Sequence, residues 1–324
     1  MMLSIVIPCY NDTDTLTACL TPYWEYLKTG MIELVLVNDG GDAEALENFV
    51  ATHCAEAVPP VKLIHQSHAG ASVARNRGLE AAQADFVWFV DADDVLAPHT
   101  MEWLEPCLCT MDDDSDIVKL GPLVLDNERW PFADVDQSDE VPVEKILDER
   151  FGALDHTTYI FRRTFLMDKG LRYPEHHALL EDSAFVLDAL QYVDHLFFNP
   201  TYCYYCYKVH RSIRGPWSRE EQQERLKDIV WFFDLFRKTV EKDSKFASLF
   251  DHFFCRHLRI LTVKGYSWRD LCVFRHRMAV PSTFYYGKKS LAMRLFQCRL
   301  FHYLFFLVCQ LWIRTSLYKL RRHR

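Results

Sequence analysis

Asp91 and Asp93 are carboxylates separated by a single residue, and Asp94 adds a third directly after them. Side chains at i and i+2 that meet across a chain reversal bring four oxygens to one point, enough to hold a hard divalent cation and, through it, a diphosphate. Without a counter-charge such a cluster repels itself. The same acids also suit a solvated turn, or the N-cap of a helix starting at Val95-Leu96-Ala97-Pro98, where free amide groups favour a carboxylate. Spacing alone leaves both readings open.

The elements around the cluster narrow the choice. Asp85 to Val90 (DFVWFV) is a short apolar run that predicts a buried strand ending at Asp91. Similar runs precede it at Ser4 to Pro8, Glu33 to Asn38 (ELVLVN) and Val61 to His65. Helical patterns lie between them at Thr13 to Lys28, stopped by Gly30, at Asp42 to about His53, and at Ala71 to Ala82. Strands apolar on both faces and separated by single helices predict an α/β fold with a mainly parallel sheet covered on both sides. Ligands bind to such sheets beyond the carboxyl ends of the strands, at a topological switch point. The polar residues that follow each strand are therefore the ones to examine. They are Cys9-Tyr10-Asn11, Asp39-Gly40-Gly41, Gln66-Ser67-His68 and Asp91-Ala92-Asp93-Asp94. Tyr10 offers an aromatic face that suits a flat base or, equally, a core position at a strand end.

Farther along, the pattern weakens. Met111 to Phe151 carries the acidic run Asp112-Asp113-Asp114 and another from Asp134 to Glu140, expected to be solvated loops around one or two strands. Thr157 to Phe161 is a further sheet-like stretch, and Leu196 to Tyr207 is rich in aromatics. Ser218-Arg219-Glu220-Glu221 has the spacing of a capping box and predicts a helix bearing Leu226, Ile229, Val230 and Phe233.

With 324 residues, 49% of them hydrophobic and 25% charged, the chain can bury one large core or a main domain with a smaller one, which excludes a disordered protein. Its eleven cysteines are odd in number and scattered, so reduced thiols are expected rather than a disulfide framework. Cys203 and Cys206 would alternate faces on a strand, and the second half of a four-ligand zinc site is missing. The chain opens directly into an apolar run with no basic leader or cleavage site, and a cytoplasmic setting is expected.

Five stretches in order resemble the family 2 glycosyltransferases, inverting enzymes of the GT-A fold of the type that builds bacterial polysaccharides. They are Ser4-Ile5-Val6-Ile7-Pro8-Cys9-Tyr10-Asn11, Leu34-Val35-Leu36-Val37-Asn38-Asp39-Gly40 and Gly70-Ala71-Ser72-Val73-Ala74-Arg75-Asn76-Arg77-Gly78. Val90-Asp91-Ala92-Asp93-Asp94 and Leu180-Glu181-Asp182 follow. Three positions depart from the family: Asn38 in place of the more frequent Asp, Gly41 in place of Ser, and His68 in place of Asn.

The resemblance implies a Rossmann-like, mainly parallel but mixed sheet with helices on both faces and a C-terminal helical extension. Residues 1–215 would form the catalytic domain, with 1–110 as the nucleotide-sugar half and 111–215 as the acceptor half, and 216–324 the helical region. It implies that Pro8, Tyr10 and Asp39 frame the base, Tyr10 by stacking and Asp39 by accepting a base N–H, with Asn11 and Ala92 in the same donor-binding set. Asp91 would meet the ribose or a metal, and Asp93 would hold Mn2+ or Mg2+ on the diphosphate. Arg75 would bond to the nucleotide or to the loop that carries Asp91, unless it is purely structural. Glu181-Asp182 would supply the base: Asp182 takes the acceptor proton and Glu181 positions the acceptor or its loop, although both acids also suit the cap of a helix beginning at Ser183. His210 and Arg211, after a Tyr-rich strand, would close over the diphosphate. The partners implied are a nucleotide-sugar, a UDP-sugar first, and a glycan or lipid-linked acceptor. A catalytically silent nucleotide-sugar-binding scaffold and a glycoside hydrolase are the rival readings.

The net charge of −8 hides an asymmetry, because residues 256–324 carry fifteen Lys or Arg against one acid, a balance of +14 that leaves −22 for the rest. Within this tail, Leu300 to Ile313 (LFHYLFFLVCQLWI) is free of charge but shorter than the roughly 20 residues needed to span a bilayer. With Tyr303, Trp312 and Tyr318 and its basic end, it suits a helix lying on an anionic membrane, peripheral on the cytoplasmic face, or a buried helix of a bundle. Nucleic acid is not expected, since the tail's aromatics sit among aliphatics rather than along a basic groove.

Overall fold

The computed structural model describes residues 1–96, 100–111, 115–121, 123–125, 139–147, 154–199, 204–206, 217–263, 266 and 270. His210, Arg211, Cys203, the Asp112-Asp113-Asp114 run and the basic tail beyond 270 lie outside the described residues. Two compact units are present: Met1–Lys145 with Ala153–His177 and Glu181–Arg211, and Ile146–Gly152 with Ala178–Leu180 and Ser212–Arg324.

The first unit begins with β1 (Leu3–Cys9), α1 (Thr13–Leu20), α2 (Trp24–Leu27), β2 (Ile32–Asp39), α3 (Ala43–His53), β3 (Lys62–Gln66), α4 (Ala71–Ala81) and β4 (Phe86–Phe89). It continues through β5 (Val95–Leu96), α5 (Thr100–Thr110), β6 (Ile117–Leu120), β7 (Leu123–Leu125), β8 (Asp139–Pro142) and α6 (Val143–Ile146). After these come β9 (Tyr159–Arg162), α7 (Arg163–Asp168), α8 (Glu181–Leu190), β10 (His195–Asn199) and β11 (Tyr204–Cys206). In the second unit α9 (Arg219–Lys242) starts at the expected capping box, Ser218 with Glu221, and α10 (Ala247–Val263) follows it.

Eight strands form one sheet in the order β3-β2-β1-β4-β9-β6-β10-β8, and β5-β11-β7 form a smaller one. β1 to β4 are mutually parallel, with Ile5 paired to Leu34 and Trp88. The order reverses at β1, whose two neighbours are β2 and β4, and this creates the crevice at their carboxyl ends. β9 runs antiparallel between β4 and β6, so the sheet is mixed.

Alternation along β1 sorts the core. Leu3, Ile5 and Ile7 pack with Leu16, Leu20, Tyr23 and Leu104 in one cluster. Val6 faces the other way, where a Cβ on Gly78 of α4 would overlap its Cγ1. Each such aliphatic side chain contributes about 1.5–3 kcal/mol when buried. Gly78→Ala should therefore cost about 1–3 kcal/mol through overpacking, read as a lower urea midpoint at unchanged m-value. At the opposite, amino end of the strands the buried Glu33 is fully engaged, by Ser4 Oγ, Lys62 Nζ and the backbone N–H groups of Gln83 and Ala84.

Local departures from the sequence pattern have local causes. The helix expected over Thr13 to Lys28 breaks into α1, a 3-10 turn at Thr21–Tyr23 and α2, because Pro22 has no N–H to continue the ladder. β3 is the edge strand and is only partly buried, with His65 exposed, rather than apolar on both faces. Asp94 precedes the strand β5 and not a helix, so the N-cap reading of that residue is overturned. The described residues between Met111 and Phe151 include three strands, β6, β7 and β8, instead of one or two. No helix among the described residues is long and apolar enough to cross a membrane.

Candidate active site

At the carboxyl end of β1 the chain turns through Asn11, which adopts φ 60°, a left-handed conformation that asparagine tolerates. The turn leaves Tyr10 50% exposed, with its ring against His68 at 4.7 Å between centroids and 39° between planes. Pro8 is the penultimate residue of β1 and is half-buried. Asn11 Oδ1 accepts the N–H of Asp42 at 2.8 Å, tying this turn to the start of α3.

Asp39, at the end of β2, is only 4% exposed. Its Oδ1 accepts from Gln66 Nε2 and from the N–H of Ala69, both at 2.7 Å, and its Oδ2 accepts from the N–H of Gly70 at 2.9 Å. His68 Nδ1 lies 2.9 Å from Oδ2 and 3.0 Å from the Asp39 carbonyl oxygen. These bonds hold residues 66–70 at the entry to α4. Of the three family departures, His68 lies against Asp39, and Asn38 and Gly41 contact each other. Asn38 Oδ1 accepts the N–H of Gly41 at 2.8 Å, and a Cβ on Gly41 would stand 2.7 Å from Asn11 N and 3.2 Å from Asn38 Oδ1.

α4 enters at Gly70, φ 95°, and carries Arg75 inward, 5% exposed. Arg75 donates to Asp91 Oδ1 at 2.7 Å and to Glu181 Oε1 at 3.4 Å, with its guanidinium 5.2 Å from the centre of the Tyr173 ring. Of the two uses open to it, contact with the Asp91 loop is the one formed within the chain. Asn76 beside it donates to the Tyr173 carbonyl and to Glu175, and accepts the Tyr173 N–H at 2.8 Å. One turn of helix therefore gathers Asp91, Glu181 and Tyr173.

Asp91, Asp93 and Asp94 have carboxylate oxygens within 4.8 Å of one another, and buried Ala92 spaces the first two. Three hard oxygen donors this close fit a Mg2+ or Mn2+ ion. Burial would raise the Asp91 carboxyl, but the Arg75 charge and His156 hold it well below the usual carboxylate range. The Asp182 carboxyl, in the first turn of α8, is moved the other way. Burial and then the Glu181 charge push it up to about 7, with Asp155 adding to the rise while His156 and the Ser183 N–H oppose it. Environments that drive two carboxyl groups apart in this way divide them into a fixed charge and a proton acceptor poised near neutrality. Asp182 also accepts the Ser183 N–H at 2.7 Å, but α8 begins at Glu181, so both acids lie in its first turn rather than capping a helix that starts at Ser183.

Asp155, His156 and Tyr173 belong to this site although strand-end reading passes over them. His156 is 2% exposed; its Nε2 lies 3.7 Å from Asp91 Oδ1, and a ring nitrogen lies within 4.8 Å of carboxylate oxygens of Asp155 and Asp182. The signal lay in strand direction: β9 is antiparallel, so the residues before it, not after it, reach the carboxyl edge of β4.

A family model described as Glycosyl transferase family 2 matches residues 4–176. The chain is 35% identical over 145 residues to "Uncharacterized glycosyltransferase YibD" of Escherichia coli (strain K12), a stretch covering 44% of this chain and 39% of that protein. Among solved structures, Staphylococcus aureus TarS 1-349 in complex with UDP-GlcNAc superposes with a TM-score of 0.68 at 19% identity, over 88% of this chain and 83% of that one. The mannosyltransferase PcManGT of Pyrobaculum calidifontis, in complex with GDP-Man and Mn2+, gives a TM-score of 0.52 at 14% identity over 91% and 87% of the two chains. These likenesses bear out the α/β, GT-A architecture, and the family match extends across the strand-end turns, Arg75, the aspartate cluster and His156. The chain belongs to glycosyl transferase family 2.

Proposed function

We propose that the protein transfers a sugar, with inversion, from a nucleotide-sugar to a hydroxyl of a glycan or lipid-linked acceptor. The observation that carries this reading is the opposed pair of carboxyl groups in one site, Asp91 held ionised by Arg75 and Asp182 raised to about 7. In a single in-line displacement the acceptor oxygen bonds to the anomeric carbon as the bond from that carbon to the diphosphate oxygen breaks. Asp182 accepts the hydroxyl proton, and the nucleoside diphosphate leaves with the electron pair. Glu181, fixed by Arg75, keeps α8 and its base at the acceptor side. The exposed Tyr10 face receives the base. A UDP-sugar is the first donor to test, since the TarS structure similar to this chain holds UDP-GlcNAc.

The Asp91-Asp93-Asp94 oxygens suit a divalent ion, which when bound neutralises diphosphate charge. Asp93→Ala should lower Mn2+-dependent UDP affinity by about tenfold or more, measured by isothermal titration with and without EDTA. A screen of UDP-, GDP- and dTDP-sugars for release of nucleoside diphosphate tests the activity itself. UDP binding without turnover of any donor would sink the transferase reading in favour of a silent nucleotide-sugar-binding protein.

The basic tail supports a second element of the proposal, attachment to an anionic membrane surface. A chain ending at Gly287 should lose sedimentation with phosphatidylserine vesicles that the full chain shows. Equal sedimentation of the two would refute the anchor.

A further inference from the structure

His156 is the buried polar group that the proposed mechanism leaves without a task. Its Nε2 stands 3.7 Å from Asp91 Oδ1, close enough to help lower that carboxyl, yet neither ring nitrogen, both sealed from solvent, has a partner within 3.5 Å among the described residues. A buried imidazole left unbonded costs free energy and calls for an explanation. Around it stand carboxylates from three separate elements: Asp91 after β4, with Nε2 3.7 Å from its Oδ1, Asp155 before β9, and Asp182 on α8. The Tyr173 ring closes the remaining side, edge to face at 5.6 Å.

The backbone beneath the ring is independently fixed. Asp155 Oδ1 caps the turn through Thr157 N and Oγ1, buried Trp88 Nε1 donates to the Thr157 carbonyl at 2.7 Å, and Lys119 Nζ donates to Thr158 Oγ1 at 2.7 Å. These bonds do not involve the imidazole, so the turn holds its place whatever stands at position 156. This turn presents the ring to the carboxylates, with Nε2 3.7 Å from Asp91 Oδ1, just beyond bonding distance. Catalytic hydrogen bonds are commonly long before ligands bind and tighten in the reacting complex.

We propose that His156 is a positioning residue that links the donor and acceptor halves of the site. When the nucleotide engages the Asp91 loop, Nε2 closes onto Asp91 Oδ1, and the imidazole then sets the position of the Asp182 carboxylate relative to the anomeric carbon. The proposal rests on the transferase reading above. It makes donor binding and base placement one event, so that Asp182 is in position when a donor is present to be attacked.

The test uses the full chain with UDP and Mg2+. With histidine labelled at 13Cε1, the His156 resonance is identified by its loss in His156→Gln, and UDP with Mg2+ should shift it in the wild type but not in Asp91→Asn. In steady-state assays with whichever nucleotide-sugar the donor screen identifies, His156→Ala should lower kcat by about 100-fold, the loss that a misplacement near 1 Å brings. Its UDP affinity should stay within about threefold, and His156→Gln, which keeps a donor and an acceptor, should recover about tenfold of the rate. A His156 resonance that stays still while UDP binds overturns the proposal. So does a His156→Ala rate within twofold of wild type, or a UDP affinity that falls in step with kcat, which would mark a merely structural residue. A wild-type chain that binds no UDP overturns the transferase reading itself, and this proposal with it.

Discussion

Asp182→Asn should lower the rate of sugar transfer by about 10² to 10⁴, the usual contribution of a general base, and leave UDP affinity unchanged. The split is expected because Asp182 stands on α8 and Asp91, Asp93 and Asp94 lie at the end of β4 and in the turn after it, on the donor side. Wild-type transfer should depend on pH accordingly. The groups facing Asp182 are Glu181, Asp155 and His156, and together with burial they bring its carboxyl to about 7. The rate should therefore fall below that pH, as the base is protonated, and level off above it. The same shift has a stability counterpart. A carboxyl raised from 3.8 in the unfolded chain to about 7 in the folded one binds its proton more tightly when folded, so stability falls as pH rises from about 4 to about 7. Removing the charge should then stabilise the fold by about 1–2 kcal/mol at pH 8, less than the full shift implies because the side chain is only half-buried. A variant that transfers sugar at the wild-type rate would show that another group takes the proton.

Arg75→Met should be the most destabilising single change at the site, by about 3–5 kcal/mol. The guanidinium is buried, and the charges of Asp91 and Glu181 outweigh the burial penalty, so it stays ionised. Without it Asp91 and Glu181 face each other in a poorly solvated site, and the Asp91 carboxyl climbs back toward and beyond its ordinary value. Thermal unfolding should show a fall in Tm on the order of 10 °C, steeper at pH 8 than at pH 5 because the stranded carboxylates are ionised at the higher pH. Arg75→Lys should recover little, since one ammonium cannot span two carboxylates as the planar fork does. Adding Asp91→Asn to Arg75→Met should restore part of the loss, and an additive double variant would show that the two side chains do not interact.

Much of the donor half was legible because its residues follow strands whose apolar runs are unmistakable, so that Tyr10, Asp39 and Asp91 could be placed at one edge from pattern alone. What pattern cannot report is strand direction. The sheet-like segment read from Thr157 gave no sign of His156 just before it, and only the antiparallel placement of β9 beside β4 turns that beginning toward the site. Contacts distant in sequence were equally hidden. The bonds Asp39 accepts from Gln66, Ala69 and Gly70 span 27 to 31 residues and leave no local mark. Asp94 read as a helix cap because the two residues after it carry no mark of the short antiparallel pairing that β5 makes with β11. Pro22 was the opposite case, a local breaker in plain view whose effect the surrounding helical pattern masked.

The corner made by Asn38, Gly41 and His68 bears on how this chain can change over evolutionary time. Each of the three differs from the commoner family residue, and two of them hold each other in place, with the N–H of Gly41 on Asn38. A serine restored at position 41 would place its Cβ against the Asn11 backbone and the Asn38 amide, so the ancestral-looking substitution is unfavourable on its own. A side chain at position 41 would require the Asn11 turn to relax. Asn38 and Gly41 are thus coupled, and an exchange at one of these two positions should be felt at the other.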